Sequence, residues 1–407
     1  MGSAKLGLLR TLDHDFWQAR YCFPLEMNKT FQIILAIIIL ICNSCITKEK
    51  GDPMGNAETI LSRQIENNKT PGLQYCFFDR DGIIYSYYGG KADIENQKEV
   101  TRHTTFNAYS TTKTFTSLAI LQLAEKDSLG LDDRVSDILP NFQYPASITI
   151  KQLLAHSSGI PNPLPIRWIH TPEEHQTFDC DRFFHQIFTK YNKTKSGPNE
   201  RFAYSNLGYV ILGQIIEHVS GQSYEAYIRE NVLTPLSLNP DQLDFTIQSK
   251  DQHAKGYQNR FTLMNAMLGL HMDRAAYREN KTGKWASYKN TYVNGTAYGG
   301  LIGNAGGFVV YLQELLKTDN RLISEEYKQM LFTENILKNG KKSGMCLSWF
   351  KGELSGQPYF AHAGGGFYYC EIRLYPELGK GSVIMFNRAG MSDARFLDNV
   401  DRYFLEE

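Results

Sequence analysis

The sequence carries no excess charge of either sign: 43 lysines and arginines balance 43 aspartates and glutamates, for a formal net charge of +0. A nucleic-acid-binding surface needs a basic stripe or patch, and nothing in this chain suggests one. Long apolar runs are also missing. The most apolar stretch runs only from Phe31 to Ile41, against the ~20 residues of a membrane-spanning helix. Cysteine is scarce, with seven in the whole chain. The four beyond Cys45 are Cys76, Cys180, Cys346 and Cys370. Their spacing fits no zinc motif, and so few in so large a domain demand no disulfide framework. No internal repeat and no long low-complexity tract is evident, which excludes solenoids and fibrous arrays. What remains is a 407-residue chain that is 42% hydrophobic and 13% aromatic. That is a globular composition, long enough for a substantial core.

The N-terminal region reads as targeting rather than as fold. The Phe31 to Ile41 run fits the apolar part of a signal peptide, with Met27-Asn28-Lys29-Thr30 as its basic start. Translation is therefore expected from Met27, with residues 1–26 an upstream misreading. Cys42-Asn43-Ser44-Cys45 places a small residue before a cysteine, as bacterial lipoprotein signals do. The expectation is lipidation at Cys45 and export to the periplasm or cell surface. The membrane is then touched through that anchor only. Residues 1–47 form this leader, and residues 48–407 form the folded domain.

Within that domain, residues 58–67 predict a helix stopped by Thr70-Pro71-Gly72. Residues 73–78 and 83–88 predict two strands joined by the turn Asp79-Arg80-Asp81-Gly82. A helix is predicted from residue 207 to about 219, ending at Gly221. Strands are predicted at 347–350, 359–362, 368–375 and 382–387, followed by a helix over 392–404. The fold class expected is α+β: an antiparallel sheet, its parts at about 57–105 and 345–407, flanked by helices. A mostly helical region, about 106–344, is inserted between the two parts. A cleft would lie between sheet and helical region.

One tetrad carries chemistry. Ser110-Thr111-Thr112-Lys113 is an S-x-x-K placed directly before an apolar run of Phe115, Leu118, Ala119, Leu121, Leu123 and Ala124, spaced for one buried helix face. Residues three apart on a helix share a side, so the serine hydroxyl would face the lysine amine. A serine is a poor nucleophile until a neighbour takes its proton. A second S-x-x-K, Ser348 to Lys351, reads as a strand, where positions three apart face opposite ways. The chain also has four Tyr-x-Asn triplets, beginning at Tyr204, Tyr257, Tyr288 and Tyr292. Only Tyr204-Ser205-Asn206 follows a Gly-Pro loop and feeds directly into a helix; the other three lie in polar stretches with no packed element to fix them. His362-Ala363-Gly364-Gly365 ends a predicted strand. A literal Lys281-Thr282-Gly283 lies in a charged stretch without a strand pattern and is set aside. His170, His175, His185, Glu173 and Glu174 cluster loosely but lack metal-ligand spacing.

In that order, S-x-x-K, Y-x-N and H-x-G resemble the signature of the serine beta-lactamase and penicillin-binding-protein superfamily. The nearest branch is the one containing class C beta-lactamases, D,D-carboxypeptidases, D-aminopeptidases and related esterases. The stretches 131–135, 148–160 and 304–308 resemble the family too, so the likeness runs from about Ala57 to Phe404. The resemblance implies an acyl-enzyme formed on Ser110, no metal and no cofactor. It implies that either Tyr204 or Lys113 serves as the base, and that Asn206, His362 and Gly364 bind substrate. The backbone N–H groups of Ser110 and Gly365 would form an oxyanion hole. The expected substrate is a small peptide, a beta-lactam or an ester. Many beta-lactamases have lysine where this chain has His362, which points toward a peptidase, an amidase or an esterase. A carboxylesterase of the same fold and a non-catalytic penicillin- or peptide-binding module are the competing readings. His156 reads as structural.

Overall fold

A computed structural model describes residues 52–262, 274–390 and 395–405. The expected leader, including Cys45, lies outside the described residues.

The main sheet has seven antiparallel strands. Their order is Phe350–Leu354, Gln357–Gly365, Tyr369–Tyr375, Lys380–Phe386, Gly72–Asp79, Ile83–Asp93 and Lys98–Glu99. The chain's first long strand thus pairs with its last, Leu73 opposite Phe386 through Asp79 opposite Lys380. The two ends of the domain meet as the sequence pattern predicts. Strand Gly72–Asp79 is buried on both faces, and its alternation decides which layer each side chain enters. Leu73, Tyr75 and Phe77 join helices Pro53–Glu66 and Leu397–Leu405 on one face. Cys76 and Phe78 face the larger core shared with the inserted region. Cys76 and Cys370 are buried free thiols, as expected of small core residues.

Helix Thr112–Glu125 runs through that larger core. The spacing of its apolar residues predicts one buried face, yet residues Thr112 to Ala124 are buried all round. Its buried polar side chains bond inside the protein, although Gln122 Oε1 has no partner among the described residues. Thr116 Oγ1, for example, donates to the Ala297 carbonyl at 2.6 Å, and Gln122 Nε2 donates to Leu322 O at 2.9 Å. Helix Asn206–Ser220 packs against it. Ser205 caps its start by accepting the Gly208 N–H, and Gly221, at φ +71°, ends it in the left-handed conformation that glycine favours.

The inserted region is less helical than the pattern implies, because its described residues form three small sheets. Phe106–Asn107, Ile302–Gly303 and Leu243–Asp244 form one, Gly256–Asn259, Trp285–Tyr288 and Arg278–Thr282 another, and Ile169–His170 pairs with Tyr292–Val293. Strands of two to five residues are too short for an alternation signal to stand out. The stretches around Tyr257, Tyr288 and Tyr292 are therefore packed strands rather than loose polar segments, and all three tyrosines are buried. Lys281 and Thr282 also lie on a strand, contrary to their charged pattern, and Gly283 begins the turn after it. That strand is exposed, and Thr282 Oγ1 donates to Glu95. The predicted strand at 347–350 begins instead at Phe350, because Ser348 takes φ +69° and turns the chain just before it.

Candidate active site

Ser110 does not sit in the helix proper. It lies in a single 3-10 turn, Tyr109–Thr111, that leads into the helix. Tyr109 holds φ +48°, a strained value for a bulky residue. Three contacts hold the turn: Thr111 Oγ1 donates to Ala108 O at 3.0 Å, Thr112 Oγ1 donates to Tyr109 O at 2.7 Å, and the Tyr109 hydroxyl accepts the Phe367 N–H at 3.1 Å. The run of threonines after Ser110 thus fixes the turn that presents it.

Lys113 is buried, with its Nζ 3.0 Å from Ser110 Oγ, 2.8 Å from Asn206 Oδ1 and 2.7 Å from the Tyr298 carbonyl oxygen. Burial pushes its amine well below the usual lysine value. In the neutral form the nitrogen has two protons and one lone pair. The two carbonyl oxygens can only accept, so they take both protons and the lone pair faces Ser110. This arrangement can draw the hydroxyl proton away.

Tyr204 completes the cluster. Its ring lies 5.1 Å from Lys113 Nζ, and its hydroxyl stands 3.4 Å from His362 Nε2. Burial raises the phenol above its ordinary value, and the nearby Ser110 hydroxyl offsets this only in part. Burial works against a cationic Lys113 holding Tyr204 as phenolate, one way of making the tyrosine a base, because it disfavours the charged form of both groups. His362 is buried, and its Nδ1 is bonded to the Ser348 carbonyl oxygen. Burial first, then Lys113, pushes the imidazole down to about 3. The partial positive charge expected of a histidine at neutral pH is thus absent.

Asn206 is expected to donate to a substrate carbonyl. Here Oδ1 accepts from Lys113, and Nδ2 donates to Asn162 Oδ1 at 3.1 Å, which leaves one amide proton unassigned. Gly364 and Gly365 lie at the end of strand Gln357–Gly365, against the Ser110 turn. A β-carbon on Gly364 would come within 2.2 Å of Ala108 O and 2.6 Å of Ser110 N, whereas at Gly365 it would meet nothing within 4 Å. The strand therefore touches the nucleophile turn directly, through a position where only glycine fits.

Ser110, Lys113, Tyr204, Asn206, His362 and Gly364 are thus brought together, whereas the second S-x-x-K is not part of the cluster as a pair. Ser348 nevertheless enters through its carbonyl, a contribution that no side-chain motif announces. Two further residues escape a reading of side chains: Asn162, which holds Asn206, and Tyr298, whose backbone oxygen holds Lys113. His156 is structural as expected and supports the site closely. Its Nδ1 accepts the Ser205 N–H at 3.1 Å, its carbonyl accepts the Ala203 N–H at 2.7 Å, and its ring lies 4.1 Å from that of Tyr204. His170 and His175 bond to one another at 2.9 Å. Among the described residues no group of His, Cys, Asp and Glu is arranged to hold a metal.

Comparison with known proteins places this geometry in context. Protein flp of Staphylococcus aureus (strain MW2) is 30% identical over 213 residues, covering 51% of this chain and 42% of its own. Penicillin-binding protein 4* of Bacillus subtilis (strain 168) is 27% identical over 273 residues, covering 66% of this chain and 56% of its own. The chain thus spans about half the length of these relatives. Among solved structures, the octameric penicillin-binding protein homologue from Pyrococcus abyssi superposes with a TM-score of 0.70 at 27% identity, over 87% of this chain and 77% of that one. The D-amino acid amidase from Ochrobactrum anthropi SV3, complexed with L-phenylalanine amide, gives a TM-score of 0.72 at 17% identity, over 87% and 99%, a likeness of fold. The Beta-lactamase family model matches residues 57–404, and the chain belongs to the serine beta-lactamase and penicillin-binding-protein superfamily.

Proposed function

We propose that this protein is a serine hydrolase that forms an acyl-enzyme on Ser110 and cleaves amide or ester bonds. The observation that carries this reading is the buried Lys113 amine, held 3.0 Å from Ser110 Oγ by two carbonyl acceptors, so that its neutral form turns a lone pair to the hydroxyl. The hydroxyl proton passes to Lys113 Nζ as Oγ bonds to the substrate carbonyl carbon. The tetrahedral oxyanion is held by the backbone N–H groups of Ser110 and Gly365, where one such donor typically contributes ~3 kcal/mol. As the intermediate collapses, the bond to the leaving amine or alkoxide breaks. The Tyr204 hydroxyl gives that group a proton and is replenished from Lys113. Water then attacks the ester by the reverse route and frees the acid. Asn206 and Gly364 position the acyl group.

His362 bears on the choice of substrate. A neutral imidazole offers no fixed cation for a substrate carboxylate. The reading therefore leans toward a peptidase, amidase or esterase with an uncharged group at that position, and away from an efficient beta-lactamase. The names of the relatives support amide- or penicillin-directed chemistry.

The test is intact-mass spectrometry of the protein incubated with benzylpenicillin, a cephalosporin and acyl-ester probes. A probe-sized adduct on the wild type and none on Ser110→Ala is the expected result. Persistence of the adduct would mark a penicillin-binding protein and rapid decay a hydrolase. No adduct and no product from any probe would favour a binding module of the same fold. Export and anchoring at Cys45 are proposed alongside. Metabolic labelling with a fatty-acid analogue should tag the wild type and not Cys45→Ala.

A further inference from the structure

A cavity of about 280 Å³ lies outside the catalytic cluster and shares no residue with it. Its floor is apolar and buried, made by Phe245, Tyr292 and Val293. Its rim carries opposite charges, Glu225 and Arg229. Those two residues are four apart on one continuous helical segment, Tyr224–Ile228 running on through Arg229–Leu233. Arg229 opens a π-helical turn on that segment, and both side chains line the cavity.

Each charged group has one fixed partner and spare capacity. Arg229 Nε donates to Asp244 Oδ1 at 2.6 Å, and the guanidinium carbon lies 5.5 Å from the centre of the Phe245 ring. Neither terminal nitrogen of Arg229 has an acceptor among the described residues, so the fork remains open to an incoming carboxylate. Glu225 Oε1 accepts the Thr296 hydroxyl at 2.5 Å, and a carboxylate has further lone pairs to offer.

The pairing of charges restricts the ligand. A simple anion drawn to Arg229 would meet Glu225, and a simple cation drawn to Glu225 would meet Arg229. A molecule bearing both an ammonium and a carboxylate on neighbouring atoms satisfies both at once, and an apolar side chain on it would cover the aromatic floor. From this juxtaposition we infer that the cavity is a binding site for a free α-amino acid with an apolar side chain, separate from the hydrolytic site. This inference does not rest on the hydrolase reading.

Isothermal titration of the purified full chain with D- and L-phenylalanine tests it. The expected result is one site with a Kd of about 1 mM or tighter for at least one enantiomer, unchanged in Ser110→Ala. N-acetyl-phenylalanine lacks the ammonium and phenylalanine amide lacks the carboxylate, so each should bind at least ten times more weakly. Arg229→Gln and Glu225→Gln should each weaken binding about tenfold or more. Removing the Arg229 charge leaves buried Asp244 without its counter-ion, and that variant can fail to fold. Glu225→Gln carries the test in that case, because its amide oxygen still accepts from Thr296; circular dichroism checks both. No binding by either enantiomer would overturn the inference. So would binding that survives Glu225→Gln at full strength, or binding that is abolished by acylating Ser110, since the ligand would then occupy the catalytic cluster.

Discussion

The hydrogen bond between His362 Nδ1 and the Ser348 carbonyl decides which nitrogen of the imidazole faces the reaction. A carbonyl oxygen only accepts, so Nδ1 carries the proton and Nε2 presents a lone pair to the Tyr204 hydroxyl, 3.4 Å away. With its pKa down at about 3, the imidazole keeps that form across the neutral range. The pH dependence of kcat/KM should therefore report Lys113. Activity rises with pH as the amine loses its proton, at a midpoint well below the ordinary lysine value. A pH–rate profile on an ester substrate checks this. His362→Gln should lower the rate and leave the acidic midpoint in place. A midpoint that moved in that variant would assign the titration to the histidine instead.

Tyr204→Phe removes the hydroxyl that stands between Ser110 and His362 while keeping the ring that packs at 4.1 Å on His156. Loss of a positioned proton-transfer group typically costs ~10²–10⁴-fold, and kcat should fall by that order. Acylation by an activated ester, whose leaving group needs no proton, should suffer less than cleavage of an amide. Equal losses on both substrates would argue that the phenol positions rather than transfers.

Two adjacent glycines should respond in opposite ways to the same added methyl group. At Gly364 a β-carbon would lie 2.2 Å from Ala108 O and force the strand away from the Ser110 turn. At Gly365 it meets open space. Gly364→Ala should reduce acylation of Ser110 by about a hundredfold or more, since small misplacements at a reacting centre cost on that order. Gly365→Ala should fold normally and retain most of its activity. Single-turnover acylation rates of the two variants, beside their melting temperatures, make the comparison.

Acid should weaken the fold through histidines held neutral. His253 is buried, its Nδ1 3.0 Å from Thr105 Oγ1 and its Nε2 3.2 Å from the Tyr368 hydroxyl, and burial pushes it down to about 3. The unfolded chain binds that proton near the usual 6.5 and the folded chain does not. The stability it confers is thus complete above about 6.5 and is lost as pH falls toward 3, at up to ~1.4 kcal/mol per pH unit. His362 acts in the same direction. Melting temperatures measured between pH 4 and 7 should decline steeply toward acid in the wild type and less steeply in His253→Gln. Parallel curves would place the acid sensitivity elsewhere.

The legible parts of this protein were those written in side-chain type and period. Ser110 and Lys113 are three residues apart before an apolar run, and the longer strands of the main sheet carry enough β-branched and aromatic residues to be located within a few positions. The pairing of the first strand with the last follows from the split sheet. The backbone's contribution to the site was not legible. Tyr298 and Ser348 act through carbonyl oxygens that every residue possesses, and Asn162 lies in a proline-rich loop with no pattern. The small strands around Tyr257 and Tyr288 hold their places through tertiary contacts rather than through any periodic signal. A histidine carries partial charge near neutral pH by its type alone, and residue type leaves Lys113 open between a cation and a neutral base. The depth of burial, which disfavours charge on both, is written in no pattern.

Helix Thr112–Glu125, buried on every side, has a consequence for how the protein fails. An element with no solvent face cannot fray or open by itself, so its amide protons exchange only when the whole domain unfolds. The nucleophile's lysine rides on that element. On heating, catalysis should not fade ahead of the fold; the two should disappear in a single transition.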